Sequence, residues 1–191
     1  MFLNRRGVEE SHLHNYSDYL YKVWERESPE LVAYCKNKLQ VFKIFVKKDK
    51  SWIYFMIDTS DEIKKSLGYI CLHTIPRWKA LETFNLYVPP EFRGMGIAQL
   101  LYDSVLKDGK IVMSGWSHTT KSHGLWMKLV QNPNYVSWAH DILNLRRLAP
   151  ILIEDDKYVC EFKLYDSMKN VRKKKVEDIR IIVYNPKYFI G

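Results

Sequence analysis

Two glycines separated by one residue stand directly before an apolar helical run in this sequence. The segment from Pro89 to Gly96 reads PPEFRGMG, and the residues that follow it, IAQLLY, have helical spacing. The first N–H groups of a helix lack intrahelical partners and carry partial positive charge, which suits a phosphate. Because glycine has no Cβ, an anion can approach these groups closely. The pattern predicts that Gly94 and Gly96 cradle a pyrophosphate on the N–H groups of Met95 to Ala98, with Arg93 adding charge-assisted hydrogen bonds.

The same glycine pair has a simpler interpretation, since glycines before a helix also occur as ordinary turn chemistry. The best-known phosphate loops are excluded in any case. The chain lacks the GxxxxGK pattern followed by Ser or Thr, and the helix is expected to follow antiparallel strands rather than to stand in a βαβ unit. A phosphate site here therefore requires another nucleotide-binding arrangement.

Composition indicates a single domain, 1–191, with an anionic partner. Of the 191 residues 47% are apolar, and the formal net charge is +8, which suits a nucleic acid, a phosphorylated cofactor or an anionic protein. The densest positive run, Lys169 to Lys175, is also typical of a solvated loop. No apolar run suggests a membrane span or secretory signal, so we expect a cytoplasmic protein. Three scattered cysteines predict neither a disulfide framework nor a metal site.

The elements that position the glycine motif fall into three regions. N-terminal helices are predicted over 1–40, the second beginning at Ser28-Pro29-Glu30, which offers an N-cap and a first-turn proline. A core over 41–165 and a basic loop with a last strand over 166–191 follow. The strands expected in the core have period-two or short apolar patterns: VFKIFVKK, SWIYFMID, LGYICLHTI and KALETFNLYV as an antiparallel meander, then IVMSGW, APILIE and KYVCEFKLY.

With these elements in place, the chain resembles the GNAT superfamily of acyl-CoA-dependent N-acyltransferases. The family signature, Arg or Gln-x-x-Gly-x-Gly or Ala, is filled without a gap by Arg93 to Ala98, after a family-like strand ending over Leu86 to Phe92. The order of elements matches over roughly Leu39 to Tyr165, and Ser114 to Val130 is similar to the family's strand-loop-helix. The resemblance implies an α+β fold with a mixed, mostly antiparallel central sheet flanked by helices.

The resemblance also implies acetyl-CoA as the acyl donor and places it on the chain. The pantetheine arm would lie along the strand ending, the pyrophosphate on the glycine motif, and the rest of the cofactor beside Ser117 to Ser122. Backbone N–H groups near Val88 would stabilise the oxyanion. The residues implied in cofactor binding are Leu86, Tyr87, Val88, Arg93, Gly94, Met95, Gly96, Ile97 and Ala98.

A general base is sought among carboxylates and histidines on or near the same strand. Glu82 is the first candidate, since family bases often lie on this strand and since it shares a predicted face with Phe84 and Leu86. The alternative is a solvent-facing strand glutamate. His118 is the second candidate, and its alternative is a polar loop residue. His123 and Ser122 are weaker candidates.

One position departs from the family. Many members carry a helical tyrosine that protonates the leaving thiolate, and Trp126 stands at the matching position here. Indole cannot act as this acid. Tyr135 or Tyr102 would have to replace it. Water could also serve, because a thiol with a pKa near 8.5 gives a thiolate that is a tolerable leaving group.

Two functions follow from the sequence. The first is an N-acetyltransferase that moves an acetyl group directly from acetyl-CoA to an amine of a protein, nucleic acid or small molecule in a ternary complex. The second is a catalytically silent GNAT-fold binding or assembly protein with a basic nucleic-acid-binding surface. The small, aromatic, lysine-rich chain is typical of bacterial or bacteriophage proteins.

Overall fold

Three α-helices and twelve strands are formed by the described part of the chain. This computed structural model describes residues 10–34, 39–47, 50–60, 65–115, 120–141, 146–150, 152–154, 157–160, 163–165 and 179–188. The elements, in chain order, are α1 Glu10–Glu27, β1 Glu30–Tyr34, β2 Leu39–Val46, β3 Ser51–Asp58, β4 Lys65–Ile75, β5 Ala80–Tyr87, α2 Ile97–Lys107, β6 Ile111–Met113, α3 Thr120–Gln131, β7 Val136–Asp141, β8 Arg146–Pro150, β9 Leu152–Glu154, β10 Lys157–Cys160, β11 Lys163–Tyr165 and β12 Ile179–Tyr184.

The strands hydrogen-bond in the order β1-β2-β3-β4-β5-β6-β12-β7-β8, and β9 to β11 form a second, three-stranded sheet. The ladders whose register is described are antiparallel, except for the parallel pair β5 and β6. This confirms the predicted mixed, mostly antiparallel sheet.

The expectation that the glycine motif lies outside a βαβ unit is wrong. Strands β5 and β6 are parallel and are joined through α2, and parallel strands require such a crossover. The dinucleotide-binding pattern GxGxxG is still incomplete, because Gln99 occupies the place of its third glycine.

The chain divides into two compact units. Unit 1 comprises Met1–His73 and Phe84–Val105, and unit 2 comprises Thr74–Thr83 and Leu106–Gly191. Strands β4 and β5 therefore each contribute residues to both units. A single domain over 1–191 stays a prediction.

Unit 1 contains α1 and the meander that begins with β1. Strands β2, β3 and β4 pair antiparallel as predicted, since their period-two aromatic and β-branched residues supply one face for a core. That face packs with Leu20 of α1 and three partly buried aromatic residues of the same helix, Tyr16, Tyr21 and Trp24.

The prediction of a second N-terminal helix is wrong. Glu30 to Tyr34 is strand β1, which pairs antiparallel with β2 through Leu31 and Phe42. The Ser28-Pro29-Glu30 cap signal is local, whereas the ladder and the 3.0 Å ion pair between Glu30 and Lys43 join residues distant in sequence. Non-local pairing has overridden the helix-start signal here.

Unit 2 is built around β12, which hydrogen-bonds to β6 on one side and to β7 on the other. Its Ile182 packs with Ala80 and Met113 in a core cluster that Trp78 and Trp138 help to cover. Strand β7 was absent from the sequence prediction. The run Lys169 to Lys175, predicted as a basic loop, lies outside the described residues.

Candidate functional site

The glycine motif forms an open turn at the start of α2. Gly94 and Gly96 have φ of 83° and 79°, which residues with a Cβ rarely adopt. A Cβ placed on either glycine would meet no atom within 4 Å, so both positions face open space.

The helix that follows offers backbone donors to this space. Its first hydrogen bond runs from the Leu100 N–H to the Gly96 carbonyl oxygen at 3.0 Å, so the N–H groups of residues 97–99 precede the helical pattern. The first turn of α2 contains no acidic residue. A partly positive helix end, without a carboxylate and bordered by an open glycine turn, fits a phosphate group.

Arg93 fastens the turn to the end of β5. Its Nε donates to the Val88 carbonyl oxygen at 3.0 Å, and its backbone N–H donates to Pro90 at 3.3 Å. The side chain is exposed. The Nε bond therefore orients the guanidinium beside the turn.

Gly68 on β4 lies against both the end of β5 and the start of α2, although its sequence context does not mark it as part of the site. A Cβ on Gly68 would lie 2.7 Å from the Tyr87 carbonyl oxygen, 3.2 Å from the Val88 side chain and 3.4 Å from the Ile97 side chain. The strand ending and the first residue of α2 therefore both approach the Gly68 backbone. An isolated glycine within the strand pattern LGYICLHTI was the available signal for this close approach.

Replacing Gly68 with alanine should lower the free energy of unfolding by about 1–3 kcal/mol, because the added methyl group overlaps the Tyr87 carbonyl. The matched control is Gly124→Ala in α3, where a Cβ would meet no atom within 4 Å. Alanine there should stabilise the helix by about 0.5–1 kcal/mol. Chemical denaturation of both variants measures the difference, and equal effects would contradict the close approach at Gly68.

The end of β5 departs from regular strand geometry. The Phe84 ring lies 4.4 Å from His73, and the Tyr87 ring lies 5.9 Å from Tyr69, both measured between centroids. His73 and Tyr69 are four residues apart and share one face of β4, but Phe84 and Tyr87 are three apart. Side chains alternate faces in a regular strand, so the alternation is interrupted between Phe84 and Tyr87. The predicted common face of Glu82, Phe84 and Leu86 thus does not continue regularly to the strand end.

The ladder between β5 and β6 covers only the first residues of β5. It pairs Ala80, Leu81 and Glu82 with Ile111, Val112 and Met113. β6 then ends, and the Ser114 N–H donates to Ile181 of β12 at 2.8 Å, whereas β5 continues to Tyr87. Leu86 to Val88, the segment implied in binding the pantetheine arm, lie beyond this ladder.

The candidate bases stand differently in the structure. Glu82 is half-buried on β5 and belongs to the last pair with β6. His118 and Ser117 lie outside the described residues. Ser122 is half-buried in the first turns of α3, and of His123 only its place in that helix is described. The structure thus joins Val88, Arg93 and the start of α2 by contact, and the roles of Glu82 and His118 stay predictions.

The position of the expected tyrosine is filled by a core residue. Trp126 is buried in α3, and Tyr102 is buried in α2. Tyr135 is half-buried in the turn after α3, where its N–H donates to the Asn132 carbonyl at 3.0 Å. Trp126 and Tyr102 thus both belong to the buried core, whereas Tyr135 is partly accessible.

Two absences concern the described residues alone. None of their helices is long and apolar enough to cross a membrane. Among these same residues, no group of three or more His, Cys, Asp or Glu side chains is placed to hold a metal ion.

One of three comparisons with known proteins identifies a family for this chain. The solved structures include a similar one, the crystal structure of the ribosomal-protein-S18-alanine N-acetyltransferase from Escherichia coli, with a TM-score of 0.38 and 10% identity over 96% of this chain and 92% of that one. No curated protein matches the chain. The family model described as acetyltransferase (GNAT) family matches residues 10–128, which is more than half of the sequence. The chain therefore belongs to the GNAT acetyltransferase family.

Proposed function

We propose that this chain is an N-acetyltransferase that transfers an acetyl group from acetyl-CoA directly to an amine acceptor. The observation that carries the proposal is the open turn of Gly94 and Gly96 before the acid-free first turn of α2. Acetyl-CoA, the donor generally used in this family, carries a pyrophosphate that suits such a turn. When bound, it supplies an acetyl group on a thioester, which an amine can take up.

The binding residues divide into two groups in this proposal. The N–H groups from Met95 to Ala98, together with Arg93, hold the pyrophosphate. The backbone of Leu86 to Val88, which lies beyond the last residue of β5 paired with β6, binds the pantetheine arm.

The reaction forms a C–N bond at the acetyl carbonyl and breaks the C–S bond. The amine must reach the thioester neutral, and Glu82 accepts its proton directly or through a water. The Val88 N–H stabilises the developing oxyanion. The departing sulfur takes a proton from water or from Tyr135, since Trp126 has no acidic proton to give.

A catalytically silent binding protein is the competing function, and the buried Trp126 at the usual tyrosine position is what favours it. Calorimetry with acetyl-CoA, followed by a free-thiol assay with a panel of peptide, nucleic-acid and small amine acceptors, separates the two functions. Binding with acceptor-dependent thiol release supports the acetyltransferase. Binding without release for any acceptor class supports the silent protein, and absence of acetyl-CoA binding contradicts the acetyltransferase.

Replacing Arg93 with alanine should weaken acetyl-CoA binding roughly tenfold or more, as the loss of a charge-assisted hydrogen bond does. Arg93→Lys is the matched control, because it retains the charge but lacks the planar fork. We expect an intermediate affinity for lysine, measured by calorimetry at constant ionic strength. If Arg93→Ala binds acetyl-CoA with the affinity of the wild type, Arg93 does not contact the pyrophosphate and only stabilises the turn through its bond to Val88.

A further inference from the structure

An exposed aromatic pair stands on the β2–β3 hairpin, apart from the glycine motif. Phe45 and Trp52 are cross-strand partners, and their ring centroids lie 4.9 Å apart at an angle of 45°. Phe45 is 45% exposed, and Trp52 is half-buried. The pair projects from the face opposite the α1 core, because the neighbouring Ile44 and Ile53 belong to that core.

Three described lysines lie on the same hairpin as the aromatic pair. The Lys43 Nζ lies 5.6 Å from the centre of the Trp52 ring and 3.0 Å from the Glu30 carboxylate, so an ion pair fixes this amine above the ring. Lys47 and Lys50 are exposed at the hairpin turn. In sequence, residues 43–52 contain four lysines and one aspartate, and Glu30 offsets the charge of Lys43, so the formal surplus is two positive charges.

Aromatic rings and lysines on one surface favour some classes of partner over others. A single exposed hydrophobic residue needs no explanation, and lysines alone suit any polyanion. Rings beside several cations suit single-stranded nucleic acid, whose unpaired bases stack on aromatic faces while its phosphates contact lysines. Carboxylates of an acidic protein do not stack on a ring. Insertion into a membrane is disfavoured because the tip of the hairpin carries Lys47 and Lys50, with the rings behind it.

We propose that this hairpin face binds single-stranded nucleic acid, with a base stacked on the exposed side of Phe45 and phosphates held by Lys47 and Lys50. The surface lies entirely in unit 1. It does not depend on acetyl transfer, so it holds for a silent GNAT protein as well as for an enzyme.

The test is fluorescence anisotropy of labelled oligo-dT and oligo-U of about 15 nucleotides with the full chain. Phe45→Ala should weaken binding roughly tenfold, as expected for loss of one stacked base. Lys47→Gln with Lys50→Gln should reduce the slope of log affinity against log salt concentration by about 1.4, that is, about 0.7 for each of the two phosphate contacts. Equal affinity for the two oligomers means that the surface reads stacking and charge, whereas a preference means that it also senses the sugar or the thymine methyl group; both outcomes support the proposal.

The matched control is Lys22→Gln with Lys128→Gln, which removes the same charge from exposed positions on α1 and α3. This pair should change affinity less than threefold. The proposal is overturned if the control weakens binding as much as the hairpin pair, if Phe45→Ala binds like the wild type, or if a duplex binds as tightly as the single strand. Binding only to anionic vesicles or to poly-glutamate would overturn it as well. Unchanged thermal unfolding of the variants verifies that they are folded.

Discussion

Gly96→Ala is expected to reduce acetyl-CoA affinity at least a hundredfold while the protein stays folded. The Gly96 φ of 79° and the open space around its Cβ position direct the added methyl group into the space assigned to the phosphate oxygens. Loss of two charge-assisted hydrogen bonds, each worth about 1.5–3 kcal/mol, accounts for a change of this size. The left-handed backbone costs alanine about 1–2 kcal/mol, which a typical domain stability of about 5–15 kcal/mol tolerates.

Gly109→Ala is the control that distinguishes loss of the phosphate site from loss of protein stability. Gly109 has a similar φ of 73°, and its Cβ would lie 2.7 Å from the Tyr188 carbonyl oxygen, so alanine there is both strained and crowded. This variant should unfold at a lower denaturant concentration than Gly96→Ala, yet bind acetyl-CoA within about twofold of the wild type. Calorimetry and denaturation of the two variants settle the matter. If Gly109→Ala is the less stable variant and also binds acetyl-CoA less tightly than Gly96→Ala does, the phosphate assignment of Gly96 fails.

The elements that sequence predicted well are those with a local cause. The meander β2 to β4 follows from period-two patterns, and α2 begins at Ile97, directly after the glycine turn. Elements with a distant cause were missed. β1 depends on its pairing with β2, and the direction of β5 relative to β6 depends on the crossover through α2, so neither is written in a window of neighbouring residues.

The candidate site divides in the same way. The signature, from Arg93 to Ala98, marked the turn because glycine is needed locally for its positive φ. For the support beneath it, the isolated Gly68 signalled a close approach but not its partners, since Gly68 meets Tyr87, Val88 and Ile97 only after the strands pair. Spacing also predicted one face for Glu82, Phe84 and Leu86, whereas the ring contacts of Phe84 and Tyr87 show an interruption that the period-two rule cannot anticipate.

Replacing the Glu82 carboxylate with the amide of glutamine tests whether Glu82 acts as the general base. If Glu82 is the general base, Glu82→Gln should lower turnover roughly a hundredfold or more with little change in acetyl-CoA affinity, because proton abstraction follows acceptor binding. Glu91→Gln is the matched control. It makes the same charge change at an exposed residue of the turn before the glycine motif, and it should retain turnover within about twofold.

A pH profile distinguishes a base from a structural glutamate at this half-buried strand position. Raising the pH deprotonates the acceptor amine without assistance, so the turnover lost in Glu82→Gln should be partly recovered at high pH if the carboxylate served as base. A structural role instead predicts lower stability in denaturation and no such recovery. Equal turnover by wild type and Glu82→Gln with a good acceptor would remove Glu82 from the mechanism. The proton would then pass to His118 or to a bound water, and His118→Ala with the same acceptor and the same pH series would decide between these two.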